Sequence, residues 1–332
     1  MPRSSVAIRL FALAALAAAP VAGWQREAAA QGAATRPIVL VVPFAAGGPT
    51  DLVGRLIAME MSRKLGQQVV VENVGGAGGT TGAARVARAA PDGHTILLSN
   101  IGHASSATLY RRLPYQPVDD FAPIGLVVDV PMTLVGRPDI PVDSAAGLAA
   151  YVRANPGKVS IAHAGVGASS QLCSLLVMSA LQQPMVSVPY TGTAAALNDV
   201  VGKRVDLLCD QTTNTTGQIN GKAVKAFGLT TAARLETLPG VPTLAEAGLA
   251  GVEISVWHGL YAPKGTPPEQ IEKLADALRT ALATPVVTAR FSDLGGVPAN
   301  AEAATPTALR DKLTSEITRW KPVIEAAGSV IE

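Results

Sequence analysis

Three glycine- and hydroxyl-rich junctions hold the chemistry that this sequence can do. The first, Pro43-Phe44-Ala45-Ala46-Gly47-Gly48-Pro49-Thr50-Asp51, follows an apolar run and leads into a helical pattern. Glycines let backbone N–H groups face a ligand without side-chain obstruction, and Pro49 suits the first position of a helix. Free N–H groups at the positive end of a helix dipole attract a carboxylate or phosphate. The same residues would also make an ordinary tight turn capped by Thr50 or Asp51. Ala164-Gly165-Val166-Gly167-Ala168-Ser169-Ser170-Gln171 repeats the arrangement, with Ser169 as a cap candidate and two hydroxyls at a helix start. Pro189-Tyr190-Thr191-Gly192-Thr193 is a third such junction. Three helix starts turned to one cleft would neutralise an anion with dipoles and need no Lys or Arg.

Asp210 follows Leu207-Leu208-Cys209 at the C-terminal end of a strand, where α/β proteins place their ligands. It could accept from a ligand hydroxyl, an amine or a bridging water. Catalytic readings fare worse. Ser169-Ser170 lacks the following glycine of a nucleophile elbow. The four histidines, His94, His103, His163 and His258, lack metal-ligand spacing, and His103 is the best ligand-contact candidate among them. Gly75–Gly82 invites a dinucleotide reading, but Thr81 holds the third glycine position and the cluster follows the second strand. No metal, nucleotide or other cofactor is expected.

The elements that must position these loops alternate. Apolar strands at Ile38–Phe44, Gln68–Glu72 and Thr95–Ser99 interleave with helical stretches, and the pattern resumes after Asp143 through Val159–Ala162, Val186–Val188, Val205–Leu208 and Val224–Leu229. Helices close the chain at Pro268–Leu282, Pro285–Phe291 and Thr307–Ala327. Such alternation predicts α/β domains with mainly parallel sheets. Leu126–Pro138 and Val252–Pro263 read as two crossovers. They would make residues 36–138 plus 253–332 one discontinuous domain and 139–252 an inserted second.

Composition narrows the class. The 332 residues are 48% hydrophobic and 16% charged, which suits folded domains and excludes disorder. No basic block marks a nucleic-acid partner. Arg3 and Arg9 precede the apolar run Leu10–Gly23, and Ala28-Ala29-Ala30 offers a cleavage site, the pattern of a Sec signal peptide over residues 1–30. Its removal takes Arg3, Arg9, Arg26 and Glu27 from totals of 27 basic and 25 acidic residues, leaving 24 of each. Export permits a bond between Cys173 and Cys209; two buried thiols are the alternative.

The sequence resembles the Bug or TctC-like periplasmic solute-binding proteins of tripartite tricarboxylate transporters. The resemblance spans residues 36–332. It rests on Val41-Val42-Pro43-Phe44 with Gly47-Gly48-Pro49-Thr50-Asp51, Val71-Glu72-Asn73 with Gly76-Ala77-Gly78-Gly79, Ala90-Pro91-Asp92-Gly93 and Asp120-Phe121-Ala122-Pro123. Val188-Pro189-Tyr190-Thr191-Gly192, Leu238-Pro239-Gly240-Val241-Pro242-Thr243 and Ala262-Pro263-Lys264-Gly265-Thr266-Pro267 follow in order. It implies a two-lobed type II Venus-flytrap fold that captures a small carboxylate and delivers it to a membrane transporter; a monomer is the default expectation. On this resemblance the contacts are Phe44, Ala46, Gly47, Gly48, Thr50 and Asp51 in the first lobe. Gly165, Gly167, Ser169, Ser170, Thr191, Gly192 and Asp210 supply the second, with His103 toward the ligand's far end. Gln171 and Gln211 stand where the family often has His and Asn. Phe44 and Trp257 could stack on an aromatic ligand. A ligand-sensing partner of a receptor kinase would carry the same residues, and a secreted hydrolase would need turnover through Ser169 or Ser170.

Overall fold

The apolar run after Pro37 forms β1 (Ile38–Val42), buried on both faces as a central parallel strand should be. The computed structural model describes residues 36–326, so the expected signal segment lies outside the described residues. From Pro37 the described chain packs as one unit. After β1 come α1 (Pro49–Leu65), β2 (Val69–Asn73), a 3₁₀ turn (Ala77–Gly79), α2 (Thr80–Ala87), β3 (Thr95–Asn100) and α3 (Ile101–Leu109). A long β4 (Phe121–Gly136) leads to α4 (Ala145–Ala154), β5 (Ser160–His163), α5 (Ser169–Leu181), β6 (Val186–Pro189) and α6 (Thr193–Val201). Then follow β7 (Leu207–Gln211), α7 (Thr212–Asn220), β8 (Lys225–Leu229) and β9 (Ser255–Pro263). The C-terminal part holds α8 (Pro268–Leu282), α9 (Pro285–Asp293), β10 (Val297–Pro298) and α10 (Pro306–Ala326).

The strands join in the order β2-β1-β3-β9-β4-β7-β5-β6, with β8 and β10 also on β4. Both wings are parallel, as expected: β2-β1-β3 on one side and β7-β5-β6 on the other. The centre is not. The stretches read as crossovers fall on β4 and β9, which pair antiparallel from Phe121↔Pro263 to Pro131↔Ser255. The last five residues of β4, Met132–Gly136, pair instead with β7 and β8. One strand therefore serves both wings. The face of β1 bearing Leu40 and Val42 packs against Val53, Ile57 and Met61 of α1 and Leu274 and Leu278 of α8. On α8 the buried residues recur at helical spacing, Leu274, Ala277, Leu278 and Ala281, the stripe its sequence shows.

Three local expectations shift. The strand expected at Thr95–Ser99 passes straight into a helix: β3 runs to Asn100, whose side-chain oxygen accepts from Gly102 N–H at 2.9 Å and opens α3. The strand expected at Val205–Leu208 is displaced to Leu207–Gln211, so Asp210 lies inside it. Thr212–Asn220 is a helix where none was expected. The cysteine alternatives resolve into a Cys173–Cys209 disulfide between α5 and β7, with Cα atoms 6.0 Å apart.

Candidate functional site

The first loop is held in shape by the Asp51 carboxylate. Asp51 Oδ2 accepts from Gly47 N–H and Arg55 Nε, both at 2.9 Å, and its Oδ1 accepts from Asn73 Nδ2 at 2.9 Å. Asn73 Nδ2 also donates to the Phe44 carbonyl at 3.1 Å. Burial by itself would raise the Asp51 carboxyl, but the hydrogen bonds from Arg55, Gly47 and Asn73 outweigh it and hold it below the usual carboxylate range. Gly47 takes φ +80°, which only glycine adopts freely, so the loop can turn back under the start of α1.

Thr50 stands at that helix start in front of a buried histidine. Nδ1 of His258 lies 3.1 Å from the Val256 carbonyl, so it carries the proton and donates. Burial keeps the ring neutral by lowering it to about 4. Nε2 is then an acceptor, and at 3.3 Å it takes the Thr50 hydroxyl proton. Asn100 Nδ2 donates to the same Thr50 oxygen at 3.2 Å. Thr50 therefore has no proton left for a ligand, only a lone pair.

The second wall repeats the plan with different residues. Gly165 N–H donates to His163 Nδ1 at 3.1 Å, and His163 Nε2 in turn donates to Ser187 Oγ at 2.6 Å. Gly167 N–H donates to Gln171 Oε1 at 3.2 Å, and Ala164 N–H to Ser170 Oγ at 2.9 Å. Ser170 thus accepts from its own loop and keeps its hydroxyl proton for the cavity.

Between the walls lies a cavity with about 290 Å³ of empty space, part of it open to solvent. Of the expected contacts, Phe44, Gly48, Thr50, Ser169, Ser170, Gly192 and Asp210 line it. Ala46, Gly47, Asp51, Gly165, Gly167 and Thr191 do not; Gly47, Gly165 and Gly167 have their N–H groups engaged within the loops, and Asp51 shapes the first of them. His103 is a correction. It is enclosed by the rings of Tyr115, Phe121 and Tyr261, with Nε2 donating to the Pro117 carbonyl at 3.0 Å, and belongs to the core. Trp257 is not in the lining either, which leaves Phe44 as its aromatic member.

Sequence reasoning missed Pro49, Asn100, Ala164, Ala168, Thr193 and Gln211 as lining residues. A usable signal existed for Thr193 and Gln211, each beside a singled-out residue at a helix start. The alanines carried none, since their contribution is the absence of bulk.

Four helix-start residues reach the cavity: Gly48, Ala168, Gly192 and Gln211, the N-cap positions of α1, α5, α6 and α7. None makes a side-chain cap hydrogen bond. Asn100, Ser144 and Thr284 do cap α3, α4 and α9. The uncapped starts leave N–H donors and positive dipole ends for an anion. Asp210 is the one ionisable side chain in the lining among the described residues. Its Oδ2 accepts from Asn214 Nδ2 at 2.6 Å, its Oδ1 is buried without a protein partner, and burial raises its carboxyl to about 6.

The chain is similar to known proteins over most of its length. The family model described as the tripartite tricarboxylate transporter family receptor, TctC, matches residues 53–329. The UPF0065 protein in the TAR-I ttuE-ttuC' intergenic region of Agrobacterium vitis is 48% identical, covering 95% of this chain and 91% of its own. Among solved structures, the periplasmic binding protein BugD is 47% identical with a TM-score of 0.88, over 90% of this chain and 99% of its own. MatC (Rpa3494) of Rhodopseudomonas palustris, solved with bound malate, is 40% identical with a TM-score of 0.85, over 87% of this chain and 99% of its own. With the family model matched over residues 53–329 and a cavity built of helix starts, the chain belongs to the TctC family of tripartite tricarboxylate transporter receptors.

Proposed function

We propose that this protein captures a small organic carboxylate in the periplasm, leaves it chemically unchanged and hands it to a tripartite tricarboxylate-type membrane transporter. The observation that carries the reading is the convergence of four uncapped helix starts on a cavity with no Lys or Arg in its lining. Backbone dipoles held fixed around the cavity neutralise a carboxylate without a cation. The malate in MatC, 40% identical, supports the ligand class.

Binding proceeds by closure of two lobes, residues 36–138 with 253–332 against the inserted 139–252, linked through β4 and β9. Hydrogen bonds across the proposed cleft support this: Ala45 N–H donates to the Thr191 carbonyl at 3.3 Å, and the Tyr110 hydroxyl donates to the Val166 carbonyl at 3.0 Å. A ligand held by both walls favours the closed arrangement by its differential affinity. The first lobe contributes Phe44, Gly48 and Thr50; the second contributes Ser169, Ser170, Gly192 and Asp210. Signal cleavage near Ala30 releases the working form, a monomer. No helix among the described residues is long and apolar enough to cross a membrane.

A thermal-shift panel of aliphatic and aromatic mono-, di- and tricarboxylates on refolded mature protein tests this. A ligand at a hundred times its Kd adds about 2.7 kcal/mol, a shift of several degrees. No shift across the panel would sink the carboxylate reading. Asp51→Ala, which removes the acceptor shared by Gly47, Arg55 and Asn73, is expected to weaken the best ligand about tenfold, or 1.4 kcal/mol. Unchanged affinity by titration calorimetry would show that the first loop keeps its shape without that carboxylate.

A further inference from the structure

The cavity is chemically lopsided. Its donors are backbone N–H groups at helix starts, the Ser169 and Ser170 hydroxyls and the side-chain NH2 of Gln211. The same lining also carries three oxygen acceptors with a lone pair to spare. Asp210 Oδ1 and Gln211 Oε1 are both buried without partners, on side chains that are 1% and 2% exposed. The Thr50 oxygen adds a lone pair, its proton being committed to His258. A plain carboxylate satisfies the donors and leaves the acceptors facing its negative charge. Leaving a buried acceptor unpaired costs about 1–3 kcal/mol, more for an ionised one.

We infer that the acid bound here carries a hydrogen-donating substituent, a hydroxyl or an ammonium group, directed at Asp210 and Gln211. This rests on the carboxylate-capture reading and narrows it to hydroxy or amino acids. The carboxylate sits on the helix starts and the substituent donates to Asp210 Oδ1. Discrimination follows from the geometry. A site built to receive a donor rejects the analogue that lacks it, because its own acceptors stay unpaired.

The surroundings of Asp210 keep the reading simple. Thr133 of β4 pairs with it in register, Thr193 of α6 and Asn214 of α7 supply hydrogen bonds, and none of these is charged. The other ionisable groups near the walls are His258 behind Thr50, His163 behind Gly165 and the Asp51–Arg55 pair behind the first loop. The two histidines are held neutral by burial. With its carboxyl at about 6, Asp210 loses its charge as the pH falls through that value, so a facing ammonium is then held less tightly.

Titration calorimetry with two matched series decides it: succinate, L-malate and L-aspartate; glutarate, L-2-hydroxyglutarate and L-glutamate. In whichever series binds, the hydroxy or amino member is expected to bind at least about tenfold tighter than the unsubstituted acid. Asp210→Ala should bring the two within about threefold. Asp210→Asn tells the substituents apart, retaining a hydroxy acid and losing an amino acid. If the amino acid is the ligand, its affinity should fall from about pH 7.5 to about pH 5.5 in the wild type and not in Asp210→Asn. Equal affinity for the unsubstituted acid would overturn the inference while leaving carboxylate capture intact. So would affinity that climbs as the pH falls and does so only with Asp210 present, since a protonated Asp210 would then be donating to the carboxylate. If neither series binds, nor any acid of the wider panel, carboxylate capture itself fails and this inference with it.

Discussion

Gly78→Ala is expected to weaken ligand binding about a hundredfold, some 2.7 kcal/mol, while the ligand-free protein keeps its fold. Gly78 lies in the 3₁₀ turn between β2 and α2, outside the cavity lining, and touches the second wall directly. A Cβ built there would stand 1.9 Å from the Val166 carbonyl oxygen, 2.9 Å from its carbon and 3.2 Å from Ala168 N. Those are backbone atoms and cannot swing aside as a side-chain tip can. The two loops must part, and Ala168, the N-cap of α5 in the cavity wall, moves with them. Gly165 answers from the other side, where a Cβ would lie 3.0 Å from Gly78 N. The glycine cluster that invites a nucleotide reading is thus the surface on which one wall meets the other.

Alanine at Gly78 also strains the backbone, since φ is +62° there, and that costs about 1–2 kcal/mol wherever it occurs. Gly157→Ala separates the two effects. Its φ is +69° and nothing lies within 4 Å of the added Cβ. Both variants should melt a few degrees lower without ligand, and only Gly78→Ala should lose affinity. Equal Kd values for the two would show that the loops can close without this contact. The comparison needs a ligand from the carboxylate panel and nothing else.

The sequence made the wings of the sheet legible because their strands are short, mainly apolar runs separated by helical stretches, and β1, β5 and β6 lead into glycine- or hydroxyl-marked turns. It made the two chief loops legible for the same reason. The centre was not legible. β4 and β9 pair antiparallel although they lie far apart in sequence, from Phe121↔Pro263 to Pro131↔Ser255, a partnership that no local pattern records. α7 was hidden by its composition: Thr212-Thr213-Asn214-Thr215-Thr216-Gly217 holds poor helix formers throughout. Tertiary burial of Thr212, Thr213, Thr215 and Thr216 sustains it. Once Thr212 begins a helix, Gln211 becomes its N-cap and turns from a departure in a motif into part of the wall. His103 misled for the opposite reason. A histidine near a strand end suggests a ligand contact, but Tyr115, Phe121 and Tyr261 come from three other parts of the chain to enclose it. Phe44, Thr50 and the paired serines were readable because a helix start is a local feature. Their convergence depends on the whole topology.

Removing the disulfide should give the reverse of the Gly78 result, a loss of stability with binding retained. The bond closes a loop with a sequence separation of 36. Chain-entropy arguments assign such a crosslink about 3–4 kcal/mol, mostly by restricting the unfolded chain. Cys173→Ala/Cys209→Ala is therefore expected to lower the melting temperature of the ligand-free protein by roughly 6–10 °C. Both cysteines are fully buried, so the double variant tests the bond more directly than adding a reductant to folded protein. Position makes the binding result informative. Cys173 lies one turn beyond Ser169 and Ser170, and Cys209 adjoins Asp210, so a bond that shaped the cavity would show at once in the Kd. The native packing argues that it does not. Leu172, Val177 and Leu181 hold α5 in the core, and β7 pairs with both β4 and β5. Affinity in the double variant should stay within about threefold of the wild type, under 1 kcal/mol. A loss as large as that of Gly78→Ala would instead make the disulfide part of the binding geometry. The two variants together would then separate what holds the walls in place from what brings them together.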